Sequence, residues 1–206
     1  DIVGIDAEPS ILAAGLGSRY EIETTNIKRY CVGSPAQAPI DALLLLMQRE
    51  GLRSSDVSRV VLELPDQLAA VVLGRDMPNI NLSYLATVAL EDSDVTFAAA
   101  HDNERFKRWL SLRDSRIVIE RSQTMAPIRQ ANATVWTVDG QEFHIHVDAV
   151  RGAHNNPMST NEVADKAFEL LSMKFPVGQV RELIRHVLSS EDEPEVADWG
   201  RLLSVR

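Results

Sequence analysis

Lys28, Arg29 and Tyr30 stand side by side, ahead of a Gly33-Ser34-Pro35 turn and an apolar stretch with helical spacing. Two cations and a phenol in that position suit an anion carrying several oxygens. A guanidinium offers a planar pair of donors to a carboxylate, and an ammonium offers a point charge. The plainer account of the same residues is a solvated strand edge. Arg151-Gly152 repeats the chemistry on a smaller scale: the glycine permits close backbone approach, and the arginine can grip a carboxylate. His144 and His146 lie two apart on a predicted strand and so point the same way, as two metal ligands must. No third ligand accompanies them, and Glu142 and Asp148 continue the same polar face, so a solvated strand face explains them better. His101, His154 and His186 stand alone. The chain has no phosphate loop ending in Lys-Ser or Lys-Thr, no dinucleotide fingerprint after a strand and no nucleophile-elbow serine.

These side chains need elements to hold them. Tyr20-Glu21-Ile22 and Asn26–Tyr30 alternate like short strands. A helix is expected from Ala36, with Ile40, Leu43, Leu44 and Met47 on one face and Gly51 as its terminator. Val57–Leu64 reads as a core strand, and Gln67–Leu73 as helical or irregular. Helices follow over Leu82–Leu90 and Asn103–Leu110, then a strand at Ile117-Val118-Ile119. Ala133–Val138 and Glu142–Val147 make a hairpin about Asp139-Gly140. A two-residue loop there sets Trp136 opposite Phe143 and Thr134 opposite Ile145 as an apolar face, with His144 and His146 on the other. Ser159 and Glu162 have capping-box spacing, opening a helix with Ala164, Phe168 and Leu171 on its apolar face. Another helix runs from Val177 to Leu188, with Val180, Leu183, Ile184 and Val187 inward, and Pro194 opens a short terminal one. The order gives an α+β, two-layer domain: a mostly antiparallel sheet with helices on one side. Residues 1–154 form that domain, the first 20 as a lead-in, and 155–206 form a C-terminal helical segment.

Length and composition bound the rest. With 206 residues, 45% hydrophobic and 25% charged, the chain has room for one ordinary domain plus an appendage. Its net charge of −9 argues against nucleic acid, which needs concentrated Lys and Arg. No apolar run approaches the roughly 20 residues that cross a bilayer. The single cysteine, Cys31, excludes an intrachain disulfide and fits a reducing, cytoplasmic compartment. Opening at Asp1 without methionine, the chain is expected to have something upstream.

Four stretches in order resemble the MmgE/PrpD family, which includes 2-methylcitrate dehydratase, cis-aconitate decarboxylase and iminodisuccinate epimerase. They are Gly15–Ile22; Ile27-Lys28-Arg29-Tyr30 with Ala38-Pro39-Ile40-Asp41-Ala42; Asn81–Ala86 continuing through Val88–Asp92; and Val147–Gly152 with Asn156–Ser159, leading to a helix that carries Lys166. The resemblance implies a metal-independent lyase or isomerase without a cofactor, acting on a small polycarboxylate next to one of its carboxylates. It implies a site between this α+β part and an N-terminal helical domain, against which the last helices would pack, and a homodimer. By motif position the catalytic groups would be Lys28 and Tyr84, with Arg29 and Arg151 binding substrate. An ammonium can stabilise charge building on a carboxylate as the adjacent bond breaks, and a phenol can donate to it or move a proton. Cys31 stands where many relatives have proline, and Gly33 where some decarboxylase-like members have histidine. Glycine cannot move a proton. A noncatalytic carboxylate-binding or dimerisation module of the same origin is therefore the alternative.

Overall fold

The computed structural model describes residues 10–112, 115–191, 200, 202 and 203. After a short helix α1 (Ser10–Ala13), the chain builds α2 (Gln37–Glu50), β1 (Val57–Pro65), α3 (Asp66–Val72) and α4 (Leu82–Asp92). Then come α5 (Phe97–Ala100), α6 (Asn103–Leu112), β2 (Ile117–Ser122), β3 (Ala131–Thr137), β4 (Glu142–Val147), α7 (Thr160–Leu171) and α8 (Val177–Leu188). No helix among the described residues is long and apolar enough to cross a membrane.

The four strands form one sheet in the order β2-β1-β3-β4. β1 pairs parallel with β2 and antiparallel with β3, and β3 pairs antiparallel with β4. The sheet is thus mixed, with its single parallel pair closed over the helices α3 to α6. One face carries Val60, Leu62 and Leu64 of β1 and Ala131, Ala133 and Val135 of β3, all buried. Helices α2, α3 and α4 lie against the strands, making the α+β layer pair. Ile40, Leu43, Leu46 and Met47 give α2 its buried stripe; Leu45 remains exposed. Gly51 ends α2 in the left-handed region at φ 67°, where its N–H reaches Gln48 and Met47 carbonyls. Asn81 caps α4 by accepting from the Tyr84 N–H at 3.1 Å.

Two expectations about strands need correction. Glu21–Thr24 is a 3₁₀ turn, and the stretch through Tyr30 is an unpaired connector, so Lys28 and Arg29 lie on no strand. The hairpin is one residue out of the expected register. Val138, Asp139 and Gly140 form a three-residue loop, with Gly140 at φ 86° and Thr137 exchanging bonds with Gln141. The resulting pairs are Trp136 with Glu142, Val135 with Phe143, Thr134 with His144 and Ala133 with Ile145. A single-residue slip turns a strand over. Trp136 therefore lies on the outward face, with Arg59 over its ring at 5.2 Å and its indole N–H on Glu142 at 3.0 Å. His144 and His146 share that face, where Asn132 meets the His146 ring nitrogen at 2.7 Å.

The Ser159–Glu162 capping box forms as expected at the start of α7. None of the side chains of α7 is fully buried, whereas α8, packed against it, buries Val180 and Leu183; Val187, expected inward, is instead exposed near the end of the helix. The terminal helix expected from Pro194 falls largely outside the described residues.

Candidate active site

The connector bearing Lys28, Arg29 and Tyr30 is held from three sides. Ile27 donates its N–H to the Gly152 carbonyl at 2.8 Å, and Gly152 donates to the Asn156 carbonyl at 2.8 Å. The Gln37 side chain at the start of α2 brackets Tyr30, accepting from its N–H at 3.2 Å and donating to its carbonyl at 2.9 Å. From α7, the Lys166 ammonium donates to the Lys28 carbonyl. Gly152 makes this convergence possible. At φ 95°, a Cβ built on it would stand 1.8 Å from the Ile27 carbonyl oxygen.

Arg29 lies on the wall of a cleft of about 350 Å³ with Tyr30, Thr96, Asp165, Lys166 and Glu169. Its guanidinium carbon sits 5.2 Å from the centroid of the Tyr30 ring. Arg29 and Asp94 also line a second cleft, of about 410 Å³, on the α2 side, where Asp41 contributes. Lys28 is exposed at the same corner, its ammonium donating to the Val32 carbonyl at 3.1 Å. Four carboxylates, Asp94, Glu162, Asp165 and Glu169, line the first cleft against Arg29 and Lys166, and some of them are already hydrogen-bonded. Glu169 accepts from the Phe97 N–H, and Asp94 from the Val95 N–H at 2.7 Å.

Arg151 sits behind this cleft and is committed to it structurally. Its guanidinium clasps both oxygens of Glu162, Nε at 2.9 Å from Oε1, and reaches Asn156 at 2.9 Å. Pairing with Arg151, then the Ser159 N–H and hydroxyl, holds the Glu162 carboxyl down at about 2, from an ordinary 4.5. A carboxyl depressed on folding contributes stability that is present above its ordinary value and lost as pH falls through the folded one. The melting temperature should accordingly fall as pH is lowered from 4.5 toward 2, and Glu162→Gln should flatten that part of the slope. Identical slopes in the two proteins would detach the pair from acid stability.

Tyr84 is placed apart from these groups. It is buried in α4, its ring edge-on to Phe106 and Trp109 at 5.1 and 5.7 Å, and its hydroxyl donates to the Ala99 carbonyl at 2.8 Å. Burial pushes its phenol up to about 12. The cleft it lines, with Thr87, Arg105 and Trp109, shares no residue with either Arg29 cleft. The structure thus gathers Lys28, Arg29 and Arg151 at one corner and sets Tyr84 elsewhere.

Tyr30, read beside Lys28 and Arg29 as part of a possible anion grip, lies at that corner, and Lys166 and Asp41 join it without having been expected there. Lys166 had a signal in its spacing, four residues after Glu162 on one helix face. Asp41 had one as an acid interrupting an otherwise apolar helix, within the family-like stretch Ala38–Ala42, but nothing in its spacing tied it to Arg29.

An α+β sheet domain with a charged cleft at its helical edge is the class that fold and site define. Within that class, the chain belongs to the MmgE/PrpD family, whose C-terminal domain matches residues 30–192. The match begins at Tyr30, so Tyr84 and Arg151 fall inside it and Lys28 and Arg29 directly precede it. No curated protein matches the chain.

Proposed function

We propose that this domain supplies the cationic wall of a lyase or isomerase site for a small polycarboxylate, of the 2-methylcitrate dehydratase kind. The observation that carries the reading is the cleft at Arg29. Arg29 and Lys166 face it together, and neither has an ion-pair partner among the described residues. A polycarboxylate would exchange water for charge-assisted bonds to that guanidinium and ammonium. Lys28, at the same corner, would stabilise charge growing on the carboxylate next to the breaking bond. Arg151 would act by fixing the corner through Glu162. For Tyr84 to donate a proton, its hydroxyl must trade the Ala99 carbonyl for a substrate oxygen. Residues 1–154 serve as the α+β part and 155–206 as the helical segment. An N-terminal helical domain would cover the half-buried α7 and bring the remaining acid and base groups, in a cytoplasmic homodimer needing no metal or cofactor.

The alternative is a carboxylate-binding module without chemistry. Gly33 favours it, since its N–H is spent on the Asn79 carbonyl at 2.9 Å and it has no side chain to move a proton. Thermal shift with citrate separates the two. A shift of several degrees only when the chain is mixed with an N-terminal helical half, abolished by Arg29→Gln, supports the enzyme. The same shift by the chain alone supports the module. No shift in either sample sinks both.

A further inference from the structure

Tyr30 and Asp41 are 4% and 2% exposed, among the most enclosed polar side chains of the chain. One Asp41 oxygen accepts the Arg151 N–H at 2.7 Å. The other oxygen and the Tyr30 hydroxyl are sealed from solvent beside each other, the phenol supporting the carboxylate. A carboxylate so enclosed is costly without a compensating cation, so a buried carboxyl here needs an account. Arg29 provides one. It is the cation stacked on the Tyr30 ring, and it lines both the first cleft and the second cleft, into which Asp41 faces.

We propose that Asp41 is the internal counter-charge of Arg29, a positioning residue that acts on the guanidinium across the Tyr30 ring, without direct contact, and yields it to an incoming anion. The proposal rests on Arg29 being the anion-binding group. Four charged or titratable groups surround Asp41. Arg29 and Tyr30 face it from the connector ahead of α2, Arg151 from the loop after β4, and Asp94 across the second cleft from the end of α4. Burial raises the Asp41 carboxyl, and the Arg151 N–H, the Arg29 charge and the Tyr30 hydroxyl oppose that rise. Burial and then the Asp41 charge raise the Tyr30 phenol in turn. When an external anion claims Arg29, Asp41 loses part of its compensation and takes up a proton. Anion binding therefore tightens as pH falls through the Asp41 titration. An asparagine at that position would still accept the Arg151 N–H but could not compete for the guanidinium.

Carbon-detected NMR titration of the Asp41 carboxyl in the whole chain tests the coupling without any ligand. Arg29 is exposed, so Arg29→Gln should fold and should shift the Asp41 midpoint upward. A midpoint unmoved by Arg29→Gln overturns the inference, whatever the fate of the proposed activity. Sulfate, which stays doubly ionised between about pH 5 and 8, gives the second arm. Asp41→Asn should bind it on the order of threefold to tenfold more tightly at neutral pH and lose the pH dependence, the size expected for one partly screened charge. Equal affinity and an equal pH profile in Asp41→Asn also overturn the inference. Failure of sulfate and citrate to bind at all, with the Asp41 midpoint still responding to Arg29→Gln, would instead sink the proposed site and leave the internal pairing standing.

Discussion

Gly152→Ala should lower the melting temperature by roughly 10 °C, the largest single-residue effect expected in this fold. Two costs add. An L side chain at φ 95° is strained, and its Cβ would lie 1.8 Å from the Ile27 carbonyl oxygen, so the backbone itself must move. Moving it breaks the 2.8 Å bond from the Ile27 N–H to the Gly152 carbonyl, one of the three ties on the Lys28–Arg29 connector. Together these come to roughly 3 kcal/mol, in the upper range for a point change. The same shift should abolish the response to citrate of whichever sample binds it, since Arg29 rides on the displaced segment. A midpoint within about 1 °C of the parent would show that the two segments do not touch as described.

Lys28→Ala has the opposite profile. In the domain assembled with an N-terminal helical half, turnover should fall roughly a hundred- to thousandfold, the loss typical of removing one group that stabilises developing charge. Stability should hardly change. The Lys28 side chain is exposed and its ammonium makes one bond among the described residues, to the Val32 carbonyl, so its removal leaves no buried group there unpaired. Turnover near the parent level would remove Lys28 from the chemistry, and a large loss of melting temperature would make any rate effect uninterpretable as catalysis.

The elements most legible in the sequence were those whose signal is local. The helix ending at Gly51, the Ser159–Glu162 cap and the strand entering Pro65 each carry their cause within a few residues. The hairpin was legible as a hairpin but not in register. A glycine at positive φ serves a two-residue loop and a three-residue loop equally, and Thr137 decides for the longer one by bonding across it. Alternation at Tyr20–Ile22 and Asn26–Tyr30 had no strand to pair with, and the backbone was instead claimed by Gly152, Gln37 and Lys166, far along the chain. The same distinction runs through the site. Arg29 and Lys28 announce themselves by type, and Gly152 by its freedom of φ. That Arg151 spends its guanidinium on Glu162, and that Asp41 and Arg29 line one cleft, are facts of tertiary packing that spacing alone does not carry.

The strand order has a kinetic consequence. The β3–β4 hairpin closes through three loop residues, whereas β1 cannot meet β2 until four intervening helices have been gathered between Val60 and Ile117. Ordering that long loop must be done before either ladder to β1 contributes anything, since the antiparallel pairing of Val60 with Val135 encloses it too, so β1 joins the sheet last during refolding. Until then β1 presents an unpaired backbone edge to neighbouring chains, and refolding at high concentration should lose material to aggregation through that edge.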